Sequence, residues 1–137
     1  MRVMLDTNVV LDVLQARAGF VDDAVAVFDM IERNAITGLL CATTITTLAY
    51  LAGKTVGKSQ AVRQIRELLV LFEVAPVTRA VIDGALKSGV SDFEDAILAE
   101  AALLAGAGAI ITRNLRDFAH SPVRAHTPGQ WIAMRSR

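Results

Sequence analysis

Residues 91–118 read SDFEDAILAEAALLAGAGAIITRNLRDF, and their pattern decides the fold. Acids open the stretch, an alanine- and leucine-rich run follows, Gly106 and Gly108 interrupt it, and Ala109 to Ile111 lead into a polar loop. Ser91 is placed to cap a helix and Glu94 to close a capping box, while Asp92 gains roughly 0.3 to 1 kcal/mol from the helix dipole. The glycines end that helix, and the apolar run after them is a buried strand. A helix feeding a parallel strand puts its amino end at the strand-carboxyl edge of the sheet. Asp92, Asp95 and the following loop's Asp117 therefore share one rim.

The same alternation repeats upstream. Val3 to Leu5 form a short strand ending at Asp6, and Thr7 or Asn8 caps a helix through Leu14. Val21, Val25, Phe28 and Met30 or Ile31 recur at helical spacing, predicting a helix from Phe20 to about Asn34, after which Gly38 breaks the chain. Leu39 to Cys41 is a second strand; Thr43 or Thr44 opens a helix that Gly53 closes. Ala61, Ile65, Leu68 and Leu69 mark another helix, and residues 72–77 another strand. Thr78 caps a helix with Val81, Ile82 and Leu86 facing inward, and a terminal helix packs Trp131 on the body. Short apolar strands alternating with helices predict one domain over residues 1–137, a three-layer α/β/α arrangement with a central parallel sheet.

Composition narrows the function. The chain is 53% hydrophobic, with 14 basic and 14 acidic residues, so no global field recruits a polyanion and any such partner needs a local patch. Lys54, Lys58, Arg63 and Arg66 form one patch, read either as a guide for an RNA backbone or as a solvated helix face. Five arginines between Arg113 and Arg137 form another. Arg113 and Arg116 flank the acidic rim, suited to phosphate contact or to pairing with Asp117. Cys41 is alone, a core residue outside any disulfide or thiolate metal site. The amino terminus lacks a signal peptide's apolar region and no apolar run is long enough to span a bilayer, so a cytoplasmic protein without membrane contact is expected.

The acids carry the chemistry. Ligands of an open parallel sheet bind beyond the strand carboxyl ends, where strand order reverses. Asp6, Asp92, Asp95 and Asp117 are expected there, and such crowding is costly unless a cation joins them. Oxygen ligands without cysteine or histidine suit Mg²⁺ or Mn²⁺, and His120 and His126 lie outside the cluster. Asp92 and Asp95, three apart, share a helix face. Such a site suits metal-assisted attack of water on a phosphodiester. Glu94 reads as a cap partner, Asp12 and Glu100 as solvated helix residues, and Tyr50 and Met30 as core. A haloacid dehalogenase-type phosphatase needs an acid two residues after its first aspartate, where this chain has Asn8.

DTNVVLD at 6–12, DFEDAILAEAA at 92–102 and IITRNLRDF at 110–118 together resemble the PIN domain, the nuclease fold of VapC-type toxins. The chain is most similar to a subgroup with I-T-x-x-Y-Y-L, D-F-E-D and T-R-N-x-x-D-F motifs. The resemblance implies a metal-dependent endoribonuclease, with RNA as substrate, a homodimer, and room for a cognate antitoxin protein. It implies that Asp6, Asp95 and Asp117 bind metal and that Thr112 and Asn114 hold carboxylates or water; Asp92 is added on geometric grounds. The family's usual glutamate after the second strand is missing: TTITTLAYLAG at 43–53 has Ala49 or Tyr50 there. Either Asp92 or Glu94 supplies that oxygen from across the site, or one metal position is weakened. The alternative is a non-catalytic PIN-like module that binds RNA or protein.

Overall fold

The computed structural model describes residues 1–135, leaving Arg137 of the basic tail outside the described residues. Five strands form one parallel sheet: β1 (Arg2–Leu5), β2 (Thr37–Cys41), β3 (Glu73–Ala75), β4 (Ala109–Ile111) and β5 (Ala125–His126). Their spatial order is β3-β2-β1-β4-β5, so the chain builds outward from β1 in one direction and then crosses to its other side. The reversal falls between β1 and β4, which pair in parallel with Leu5 opposite Ile111.

Seven helices are described: α1 (Thr7–Leu14), α2 (Val21–Glu32), α3 (Ala42–Val56), α4 (Lys58–Leu71), α5 (Arg79–Leu86), α6 (Phe93–Leu104) and α7 (Pro128–Arg135). Strand alternation divides the core. Val3, Leu5, Leu40, Ala109 and Ile111 pack with residues of α1, α2, α3, α4 and α7. Met4, Leu39, Cys41, Ala75 and Ile110 face α5 and α6. Both faces are covered, as the continuous apolar strands require, and the expected three-layer architecture is the one observed. Trp131 is buried in the first of these cores. No helix among the described residues is long and apolar enough to cross a membrane.

Several local expectations need correction. Gly38 does not break the chain but lies in β2, where a β-carbon would come within 2.7 Å of the Phe72 ring and of Ile31. Gly53 does not close α3, which runs to Val56; Gly57, at φ +85°, makes the turn into α4. Ser91 does not cap α6, because Asp92 has the extended backbone of a cap and accepts the Asp95 N–H at 3.0 Å. α1 is likewise capped by Asp6 and not by Thr7 or Asn8. Val81 is buried, but Ile82 and Leu86 are exposed, as is Tyr50. β5 lies outside every strand expected from sequence.

Candidate active site

Asp6 follows the last residue of β1 and opens α1, so its backbone serves both elements. Its N–H donates to the Ile111 carbonyl at 2.9 Å, extending the β1–β4 ladder. Its carboxylate is held from three sides. Oδ1 accepts the Thr7 N–H at 2.8 Å, and Oδ2 accepts the Thr112 hydroxyl at 2.8 Å and the Asn8 side-chain amide at 3.2 Å. The Thr112 oxygen in turn accepts the Asn114 N–H at 3.0 Å, and the Asn8 side-chain oxygen accepts the Arg113 N–H at 3.3 Å. The loops after β1 and β4 are thereby tied together around one carboxylate.

Burial pushes the Asp6 carboxyl above its ordinary range, opposed by the Thr112 and Thr7 hydrogen bonds and reinforced by the charges of Asp117 and Glu94. Asp95, half-buried in the first turn of α6, is pushed up to about 7, by burial first and then by Asp6, Asp92, Asp117 and Glu94. These cross-influences put the acids from the chain's two ends in one electrostatic neighbourhood. Asp92 is exposed and occupied as the α6 cap. Asp117 is exposed on the 3₁₀ turn Leu115–Phe118, which the buried Phe118 anchors to the second core. Glu94 is tied to α3: its Oε1 accepts the Thr47 hydroxyl at 3.3 Å.

Among the described residues no basic side chain forms an ion pair with Asp6, Asp92, Glu94, Asp95 or Asp117. Nor do any three Asp, Glu, His or Cys side chains among them already stand in ligand geometry, so the acids are gathered but not closed on one point. An oxygen-only donor set with uncompensated repulsion is chemically suited to a hard divalent cation.

Other expected residues lie elsewhere. Asp12 is not solvated: it is fully buried, and Arg113 grips it through Nε–Oδ2 at 2.8 Å and Nη2–Oδ1 at 3.2 Å. Arg17 adds a contact at 3.6 Å, and the Arg113 guanidinium stacks 4.0 Å above the Phe20 ring. Arg113 therefore pairs with Asp12 and not with Asp117. Arg116 is exposed beside Asp117. The Asn114 side chain is exposed and makes no cap hydrogen bond; its backbone does the holding. Lys54 sits 4.4 Å above the Tyr50 ring, while Lys58, Arg63 and Arg66 are exposed on α4. Glu100 is half-buried against Gly84 rather than free in solvent. His126 is removed from the cluster, its pKa lowered by burial and by Arg124 and Arg135. Sequence reasoning missed Asn8 as a support of Asp6, although it stands in the D-T-N run, and Thr47 as a neighbour of Glu94.

Solved structures share this fold. A chain of VapBC2 from Rickettsia felis, bound to a DNA fragment from its promoter, superposes with a TM-score of 0.74 at 17% identity, covering 93% of this chain and 98% of that one. FitAcB from Neisseria gonorrhoeae gives 0.70 at 21% identity, with 93% and 98% covered. VapC20 from Mycobacterium tuberculosis, a toxin that cleaves the sarcin-ricin loop, gives 0.62 at 15% identity, with 79% and 86% covered. Among curated proteins none matches the chain by sequence. The PIN domain family model matches residues 2–116, a span that begins in β1 and takes in Asp6, Asp95, Thr112 and Asn114, and the chain belongs to that family.

Proposed function

We propose that the chain is a metal-dependent endoribonuclease, with Asp6, Asp95 and Asp117 as principal metal-holding acids and Asp92 assisting at the rim. The observation that carries the reading is the gathering of unpaired carboxylates at the reversal between β1 and β4. Family membership supports the same chemistry. When bound, Mg²⁺ or Mn²⁺ supplies an acidified water and stabilises charge on the leaving oxygen. The chain's own residues position and exclude. Thr112 and Asn8 fix the orientation of Asp6, and α6 presents Asp95 from a rigid first turn. Asn114, beside them, is suited to orienting water. Lys54, Lys58, Arg63 and Arg116 are suited to the phosphate backbone, whereas Arg113 is already engaged by Asp12.

The VapBC complexes among the structural neighbours favour action as the toxin of a toxin–antitoxin pair, as a cytoplasmic homodimer restrained by a small antitoxin protein. The test compares RNA cleavage by the purified protein with that of Asp6→Asn and Asp95→Asn, each checked for folding by its melting curve. Loss of cleavage by roughly a hundredfold or more in both is expected, about the size of one removed electrostatic group; equal activity in all three ends the proposal. The absence of any acid on α3 supports a rival reading, a non-catalytic PIN-like module binding RNA or protein. Mn²⁺ separates the two, because a module without a metal site melts at the same temperature with and without it.

A further inference from the structure

α3 carries no carboxylate along its whole length from Ala42 to Val56. A cation held by acids at the end of β1, on α6 and in the loop after β4 would therefore be open on the α3 side. One acid reaches towards that side. Glu94 lies in the first turn of α6, and its Oε1 meets the Thr47 hydroxyl of α3 at 3.3 Å. The single Thr47 hydroxyl proton is shared between the Thr43 carbonyl at 3.2 Å and Glu94, so the contact places Glu94 beside α3 and leaves its carboxylate free to take a cation. Glu94 has no basic partner among the described residues, and its second carboxylate oxygen makes no hydrogen bond among them.

Asp92 is the competing source of the missing oxygen, and geometry separates the two. One Asp92 oxygen is committed to the Asp95 N–H as the α6 cap, whereas Glu94 has no capping duty. The Thr47 contact also sets Glu94 on the side of α6 that faces α3.

We propose that Glu94, reaching across from α6 and steadied by Thr47, is the carboxylate that closes the α3 side of the metal-holding cluster. The inference rests on the metal-dependent nuclease reading above. It replaces a helix-capping role for Glu94 with a metal-holding one, and it explains how the site retains a donor on that side without an acid on α3.

The experiment measures Mn²⁺ affinity directly, by calorimetry and by the electron paramagnetic resonance signal of free Mn²⁺, on four proteins: the unaltered chain, Glu94→Gln, Asp95→Asn and Asp83→Asn. Asp83 is an exposed acid on α5 paired with Arg79, and its removal changes net charge by the same amount. Glu94→Gln is expected to weaken Mn²⁺ binding about tenfold or more, in the range that supporting groups of metal sites command, with Asp83→Asn unchanged. If Glu94→Gln binds as tightly as the unaltered chain while Asp95→Asn does not, the inference is overturned and the nuclease reading stands. If Glu94→Gln and Asp83→Asn weaken binding equally, the effect is general charge and the inference is again overturned. If the unaltered chain binds no Mn²⁺, both readings fall together.

Discussion

Asp12 is a charged side chain with no exposed surface, held by Arg113 from the other end of the chain. Breaking a fully buried ion pair costs about 3 to 5 kcal/mol because the remaining charge is left uncompensated. Arg17 stays within 3.6 Å and Arg113 is partly exposed, so the loss here is smaller. Arg113→Ala is expected to cost about 2 kcal/mol in chemical denaturation, while the backbone N–H that Asn8 accepts is kept. Asp95 makes the opposite demand. With a folded-state pKa of about 7, it holds a proton that the unfolded chain has already released over the interval down to the ordinary aspartate range. Stability of the metal-free protein therefore rises as pH falls through the folded value, and the gain is complete below the unfolded one. His126 works against this, since its lowered pKa favours the unfolded state on acidification. Comparison with Asp95→Asn isolates the aspartate: its melting temperature should rise less than that of the unaltered chain between about pH 8 and pH 5, and parallel curves would contradict the assignment.

At the scale of elements, close packing makes its own predictions. Gly38 lets β2 pass beneath Phe72 and Ile31, so Gly38→Val should destabilise the fold by about 1 to 3 kcal/mol through overpacking, measured by urea unfolding. α4 carries the exposed Lys58 and Arg63. Reversing both charges should weaken RNA binding and reduce its salt slope without changing metal affinity; an unaltered slope returns them to a solvated face. The alternation of helix and strand was readable because the core strands are short and apolar and the helices repeat their apolar residues at helical spacing. β5 was not, since two half-buried residues leave no periodicity to read. Asp12 was not, because its partner is 101 positions away, and a polar residue in an amphipathic helix looks the same whether it meets water or an arginine. Of the candidate site, the placing of Asp6, Asp95 and Asp117 at one sheet edge could be read from motif and topology. The supports were less legible: Asn8 and Thr47 act through side-chain contacts that no local pattern specifies.

For the whole molecule, a cation that joins acids from both ends of the chain must stabilise the native state alone. Mn²⁺ at about a hundred times its Kd should add about 2.7 kcal/mol, raising the melting temperature. Cys41→Ala should leave cleavage intact, since the thiol is buried in the core and its one polar partner among the described residues is the Thr43 hydroxyl. The strand order carries one more consequence. β1 is made first but acquires its β4 neighbour only after more than a hundred residues have been added. During synthesis on the ribosome Asp6 emerges long before Thr112 and Asp117, and a growing or prematurely ended chain has the first acid without its companions. Under the nuclease reading, competence to attack a polynucleotide would arrive only late in synthesis, and an unfinished copy would be harmless to the RNA from which it is being translated.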